Sequence, residues 1–183
     1  PDSRRIAYVI TGSNGRFHIH VRAFRDGQWD GDPIAVTTDN SYGSDRLYVG
    51  TWDMHMQPDW TPDGKELVIV SNRDVPLGSG DIFRIPVQPD GMRHAVRLFR
   101  EQSLFRTRPQ VSIDGKRIVY SSHAGGADQF NHLYVLSIQG GAPYKLTKGD
   151  FDHFSPRWSP DGEWIALISN EGGLSQLVLL ETY

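Results

Sequence analysis

The 183-residue sequence contains no cysteine. This excludes disulfides, thiolate nucleophiles and cysteine-based zinc sites, and it fits a reducing or an oxidising compartment equally well. No run of about 18 apolar residues occurs, so no segment reads as a membrane-spanning helix and no membrane insertion is expected. Charge of one sign is also scarce. The 19 Lys and Arg against 22 Asp and Glu leave a net charge of -3, far from the positive field that grips phosphate backbones. No nucleic-acid partner is expected. A helical period is missing as well: no stretch repeats its apolar residues every three to four positions. The chain does have 38% hydrophobic residues, enough for a globular core.

What the chain has instead is a repeated phrase. It reads QPDWTPDGKELVIVSN from Gln57 to Asn72, RPQVSIDGKRIVYSSH from Arg108 to His123, and SPRWSPDGEWIALISN from Ser155 to Asn170. Pro1 to Thr11, PDSRRIAYVIT, keeps the Pro-Asp turn and the apolar run of the same phrase. The four aspartates Asp2, Asp63, Asp114 and Asp161 stand 61, 51 and 47 residues apart, a period that suits one four-stranded propeller blade per repeat plus insertions. The expected fold is therefore an all-β β-propeller of four-stranded antiparallel blades, about three and a half of them. The blades divide as 1–52 (partial), 53–104, 105–151 and 152–183 (partial).

Within one repeat, Pro156 to Ser159 reads as a first strand and Pro160-Asp161-Gly162 as the turn that ends it. Proline presets φ, aspartate bonds to amides ahead of it, and glycine supplies a positive φ. The same roles fall to Pro62, Asp63 and Gly64 and to Asp114 and Gly115. Trp164 to Ser169 is then an apolar run of strand length, as in a middle strand covered on both faces. Later strands are expected at Leu67–Val70, Ile82–Val87 and Ala95–Phe99, at Ile118–Ser121, Leu133–Ser137 and Tyr144–Thr147, and at Gln176–Leu180. In the opening repeat they are expected at Ile6–Ile10, His18–Phe24 and Ala35–Thr37. Pro86, inside one of these, suggests a local bulge or an unpaired amide.

Through Trp158-Ser159-Pro160-Asp161-Gly162 and its copies the chain resembles the TolB-type β-propeller family, whose WD-like repeat carries that succession. The second copy has Thr61 for serine, the third has Val111 for tryptophan and Ile113 for proline, and the opening copy has Ser3 for glycine. The resemblance implies a ring of six to eight blades, so the chain is expected to be part of a longer polypeptide. It also implies an extracytoplasmic (periplasmic or secreted) setting, with partner proteins or an adjacent hydrolase domain.

Ligands of propellers bind on the face of the loops that join second to third strands and one blade to the next. Those loops carry Trp52, Asp53, His55, Arg73, Asp74, His123, Asp128, His132, Asp150, Asp152 and His153 as candidate binding residues for a protein or peptide. Asp150-Phe151-Asp152-His153 is too poor in oxygens for calcium and is read as structural, with Asp152 or His153 bonding across blades. His18 and His20 share a strand face but have no further metal ligands, and they are read as partly exposed strand residues. No catalytic residue, cofactor or metal is expected, since no nucleophile, base and oxyanion donor occur together. The function expected is a non-catalytic module for protein binding or substrate gating. The rival is a structural assembly protein whose open blade edges pair with further copies into a ring or filament.

Overall fold

The computed structural model describes residues 3–13, 15–38, 54–73, 80–100, 105–123 and 129–182. Fourteen strands run β1 (Arg5–Thr11), β2 (Phe17–Arg25), β3 (Gln28–Ala35), β4 (His55–Trp60), β5 (Glu66–Ser71), β6 (Asp81–Pro86), β7 (Val96–Phe99), β8 (Phe105–Val111), β9 (Arg117–His123), β10 (His132–Ser137), β11 (Tyr144–Lys145), β12 (His153–Trp158), β13 (Trp164–Ser169) and β14 (Gln176–Glu181). They form four antiparallel sheets in sequence order: β1–β3, β4–β7, β8–β11 and β12–β14. The first strands β4, β8 and β12 stand side by side, with β1 next to β4. That arrangement fans the sheets around a common inner edge.

Each gap between sheets is filled by one apolar cluster. Ile19, Val21 and Val36 meet Leu67, Ile69, Phe83, Ile85 and Met92 in the first gap. Val68, Ile82 and Leu98 meet Val111, Ile118, Tyr120, Tyr134 and Leu136 in the second. Val119 and Leu133 meet Ile165 and Leu167 in the third. The near-continuous apolar runs of β5 and β9 are explained by this, because alternate residues face different neighbouring sheets and both faces are dry.

The repeated turns close as their residues dictate. Gly64, Gly115 and Gly162 all have positive φ, and their amides donate to Thr61, Ser112 and Ser159. In each, the hydroxyl of that threonine or serine donates to the aspartate two residues on, and the aspartate accepts a main-chain N–H beyond the turn. Ser3 takes the same φ of 55 without being glycine.

Each first strand of the full phrase carries a bulge just before its proline. Pairing slips between Met56 and Asp59, between Thr107 and Gln110, and between Phe154 and Arg157. Gln57, Arg108 and Ser155 sit there at φ of 55, 53 and 56. Pro58, Pro109 and Pro156 follow them, and a bulge leaves no ladder bond for the missing N–H to break.

Two expectations are corrected, and one further turn is added. The outer strand of the first sheet runs Gln28–Ala35 rather than Ala35–Thr37; Val36 and Thr37 only extend its bonding to Ile19. Pro86 pairs in register with Glu66 at the end of β6, so no bulge falls at the proline; the irregularity of β6 lies further back, between Ile82 and Phe83 against β7. In the Pro89-Asp90-Gly91 turn the positive φ belongs to Asp90, and glycine is needed for closeness: a Cβ on Gly91 would lie 2.2 Å from the Pro86 carbonyl oxygen.

Candidate functional site

The described candidate residues differ widely in exposure. Trp52, Asp53, Asp74 and Asp128 lie outside the described residues. Of the rest, His55, His132 and His153 are buried, Arg73, His123 and Asp152 are half-buried, and Asp150 is exposed.

The buried histidines sit at the loop-side ends of their strands, in the seams between sheets. His132 opens β10 opposite Ser122, and His153 opens β12 opposite Ser169. Their rings lie 5.7 Å apart at 37°. His18 and His55 repeat the arrangement between the first and second sheets, with rings 6.3 Å apart. His18 is therefore not a partly exposed strand residue; it is 7% exposed. His20, further along the strand, leans against Tyr8 instead.

Asp152 ties the last two sheets together. Its carboxylate accepts from the Asn131 main chain at 2.8 Å, from the Asn131 side chain at 2.9 Å and from Asn170 at 3.2 Å. Burial pushes its pKa up, but these donors outweigh that and hold the group below the usual carboxylate value. The His153 amide donates to the Asn131 carbonyl at 2.7 Å, and Ser121 Oγ donates to the His153 carbonyl at 2.9 Å. Burial, then the neighbouring His132, lowers the His153 imidazole. Arg73 donates to the Met92 carbonyl at 2.8 Å and so braces its loop against the second sheet.

A row of inter-sheet bonds along the first strands had not been singled out in the sequence. Gln57 Oε1 accepts from the Arg108 amide at 2.6 Å, and Arg108 in turn donates to Ser155 Oγ at 3.0 Å. Two positions on, Asp59 Oδ2 accepts from the Val111 amide at 2.7 Å, and Gln110 Oε1 accepts from the Trp158 amide at 2.6 Å. Burial raises the Asp59 pKa against the hydrogen bonds it accepts. The signal in the sequence was the proline that recurs five residues before each turn aspartate, at Pro58, Pro109 and Pro156.

Two open clefts remain among the described residues. One, of ≈ 490 Å³, lies on the loop side and is lined by Gln129, Phe130, His132, Lys145, Lys148, Gly149 and Asp150. The other, of ≈ 290 Å³, lies between the turns around Asp63 and Asp114, with Glu66 and Arg84. No group of three or more His, Cys, Asp or Glu among the described residues is placed to hold a metal ion, and no described helix is long and apolar enough to cross a membrane.

No protein-family model matches the chain. It is similar to the Tol-Pal system protein TolB of Anaeromyxobacter dehalogenans (strain 2CP-1), at 29% identity over 157 residues covering 84% of this chain and 32% of that protein. It is also similar to the uncharacterized peptidase YuxL of Bacillus subtilis (strain 168), at 24% identity over 170 residues, 93% of this chain and 21% of the peptidase. Among solved structures, TolB from Acinetobacter baumannii matches with a TM-score of 0.69 and 25% identity, covering 100% of this chain and 39% of that one. The chain thus spans a third or less of the length of these curated relatives, 32% and 21%. A phrase that folds one sheet at a time, with likeness in sequence and in fold leading to the same proteins, gives this chain a β-propeller fold similar to that of TolB.

Proposed function

We propose that the chain is a non-catalytic propeller module that binds a protein or peptide on its loop side, with blades dividing near residues 52, 104 and 151. One observation carries this reading. The histidines and the aspartate that a hydrolytic site would draw on, His55, His132, His153 and Asp152, are engaged between sheets, whereas the loop-side cleft offers exposed Lys148 and Asp150 beside Phe130. Such a mixture of charge and aromatic surface suits an extended polypeptide. The family resemblance supports an extracytoplasmic setting, and the likeness to a peptidase supports an adjacent hydrolase domain whose substrate this module would gate.

The test uses fluorescently labelled acidic, basic and apolar decapeptides and follows anisotropy with the full chain. One class binds, and exchanging the two charges, Lys148→Glu with Asp150→Lys, weakens it by about tenfold. Equal binding by the exchanged variant removes the cleft from the proposal. Turnover of a chromogenic peptide by the chain itself, abolished by Asp150→Asn, overturns the non-catalytic reading.

A second reading has its own observation. Leu177 and Leu179 on β14 are 75% and 59% exposed, yet Ile82 and Leu133, at the position of Leu177 in earlier sheets, are wholly buried under the next sheet. The outer face of the last sheet is thus built to receive another blade, and a second copy of the chain would supply one. Sedimentation of Leu177→Asn against the unaltered chain tests this: a self-associating chain that the substitution makes monomeric supports assembly through this face.

A further inference from the structure

The paired histidines are engaged between sheets, His132 also at the wall of the loop-side cleft, and their recurrence calls for a reason. Two of the three seams place one imidazole from a third strand against one from the next first strand, His18 with His55 and His132 with His153. In the remaining seam the equivalent of His18 and His132 is Asp81, opposite Ser71 in register and 3.5 Å from the Arg97 guanidinium. Histidine is the side chain whose charge turns on between about pH 5 and pH 8, so an imidazole in such a seam differs in kind from an ion pair there.

We propose that the His132–His153 pair is a proton-operated latch between the third and fourth sheets, closed while His153 is neutral and released when it takes a proton.

The surroundings of His132 and His153 set the direction. Both rings are almost fully buried, at 1% and 7% exposure, so a charge placed there loses its hydration. Phe151 covers His153 with ring centroids 5.0 Å apart and adds no compensating acceptor. His153 Nδ1 is buried with no hydrogen-bond partner among the described residues. The charged and titratable groups around the pair are Asp152, His123 and Glu171 on the His153 side and Lys145, Lys148 and Asp150 in the cleft beside His132. Asp152 and Glu171 favour a proton on His153. Asp152, however, already accepts from Asn131 and Asn170, and burial together with the second imidazole prevails. The seam held by the pair contains the inter-sheet bonds from the His153 amide to Asn131 and from Ser121 to the His153 carbonyl. These break when the sheets part.

Opening the seam returns the His153 imidazole to water, where histidine titrates near 6.5, whereas in the closed seam burial and the neighbouring His132 disfavour its protonation. The closed state is therefore fully favoured above about pH 6.5. As pH falls below that, opening grows by up to about tenfold per pH unit until the closed His153 ring itself titrates.

Amide hydrogen exchange of the full chain between pH 7.5 and pH 5, corrected for the intrinsic exchange rate, reads this directly at the His153 amide. Protection there should drop by about tenfold or more across the range, while Val68 and Ile69 in the second sheet keep theirs. In His132→Gln the drop should shrink, because a neutral side chain replaces one member of the pair. If that variant misfolds, imidazole NMR titration of the unaltered chain serves instead. A fall in protection that follows the titration of His153 supports the latch. Unchanged protection of the His153 amide down to pH 5, or a His153 ring that titrates without loss of protection, overturns it.

Discussion

Asp59 and Gln110 perform the same task with different chemistry. Each side-chain oxygen accepts the amide of a first-strand residue in the next sheet, Val111 and Trp158 respectively, at 2.7 and 2.6 Å. The carboxylate does so at the cost of burying a charge, and its pKa rises accordingly. An amide oxygen meets the same geometric need without the charge. Asp59→Asn should therefore leave the urea midpoint at pH 7 unchanged or higher. Asp59→Ala leaves the Val111 amide unpaired and should lose about 1–3 kcal/mol. A loss of equal size in both variants would show that the carboxylate charge, and not the acceptor, holds the strands together.

Two elements show how position in the series of sheets decides what a strand contributes. Leu133 in β10 is fully buried between the third and fourth sheets, whereas Leu177 at the same place in β14 is 75% exposed. In the isolated chain Leu133→Ala should cost about 2–5 kcal/mol of unfolding free energy, from lost burial plus the cavity left behind. Leu177→Ala should change it by less than about 0.5 kcal/mol. Denaturant melts of the two variants decide the matter, and a large cost at Leu177 would mean that its face is covered in solution. The signature tryptophans follow the same logic. Arg5 lies 4.8 Å over the Trp60 ring of the next sheet and Arg117 4.9 Å over that of Trp158. Where Val111 replaces the tryptophan, the residue in the arginine position is Glu66, which pairs with Arg84 at 3.2 Å instead.

For the whole molecule, acid should act in two stages. Hydroxyl donors at Thr61, Ser112 and Ser159, followed by main-chain amides, hold Asp63, Asp114 and Asp161 below the usual carboxylate value. Groups depressed in this way stabilise the fold above their unfolded value of about 3.9, and the contribution disappears as pH falls through their folded values. The seam at His153 weakens earlier, from about pH 6.5 downward. Urea midpoints measured from pH 8 to pH 3 should show both declines, and Asp63→Asn with Asp114→Asn and Asp161→Asn should flatten only the lower one. Loss of the upper decline in that triple variant would place the acid response in the turns alone.

The repeated phrase determined the architecture by itself. The turns at Asp63, Asp114 and Asp161 are local, and each strand after them needs only its own apolar run to be recognised. The apolar run Trp164–Ser169 was read as covered on both faces, which holds for its counterparts β5 and β9 but not for β13 itself, where only alternate residues are buried. Residues whose role depends on a neighbour some 50 positions away were not legible in this way. His132 and His153 read as loop-side polar residues because loops are usually solvated, yet packing of the third sheet on the fourth turns their rings toward each other and out of water. The bulges at Gln57, Arg108 and Ser155 and the acceptor roles of Asp59 and Gln110 were likewise not read from the sequence, whereas a cross-blade bond was expected of Asp152 or His153 and Asp152 makes it to Asn131. Local chemistry sets which strands form; which side chains remain available for a partner is decided by the contacts between sheets, since burial there uses up the polar groups that sequence alone leaves free.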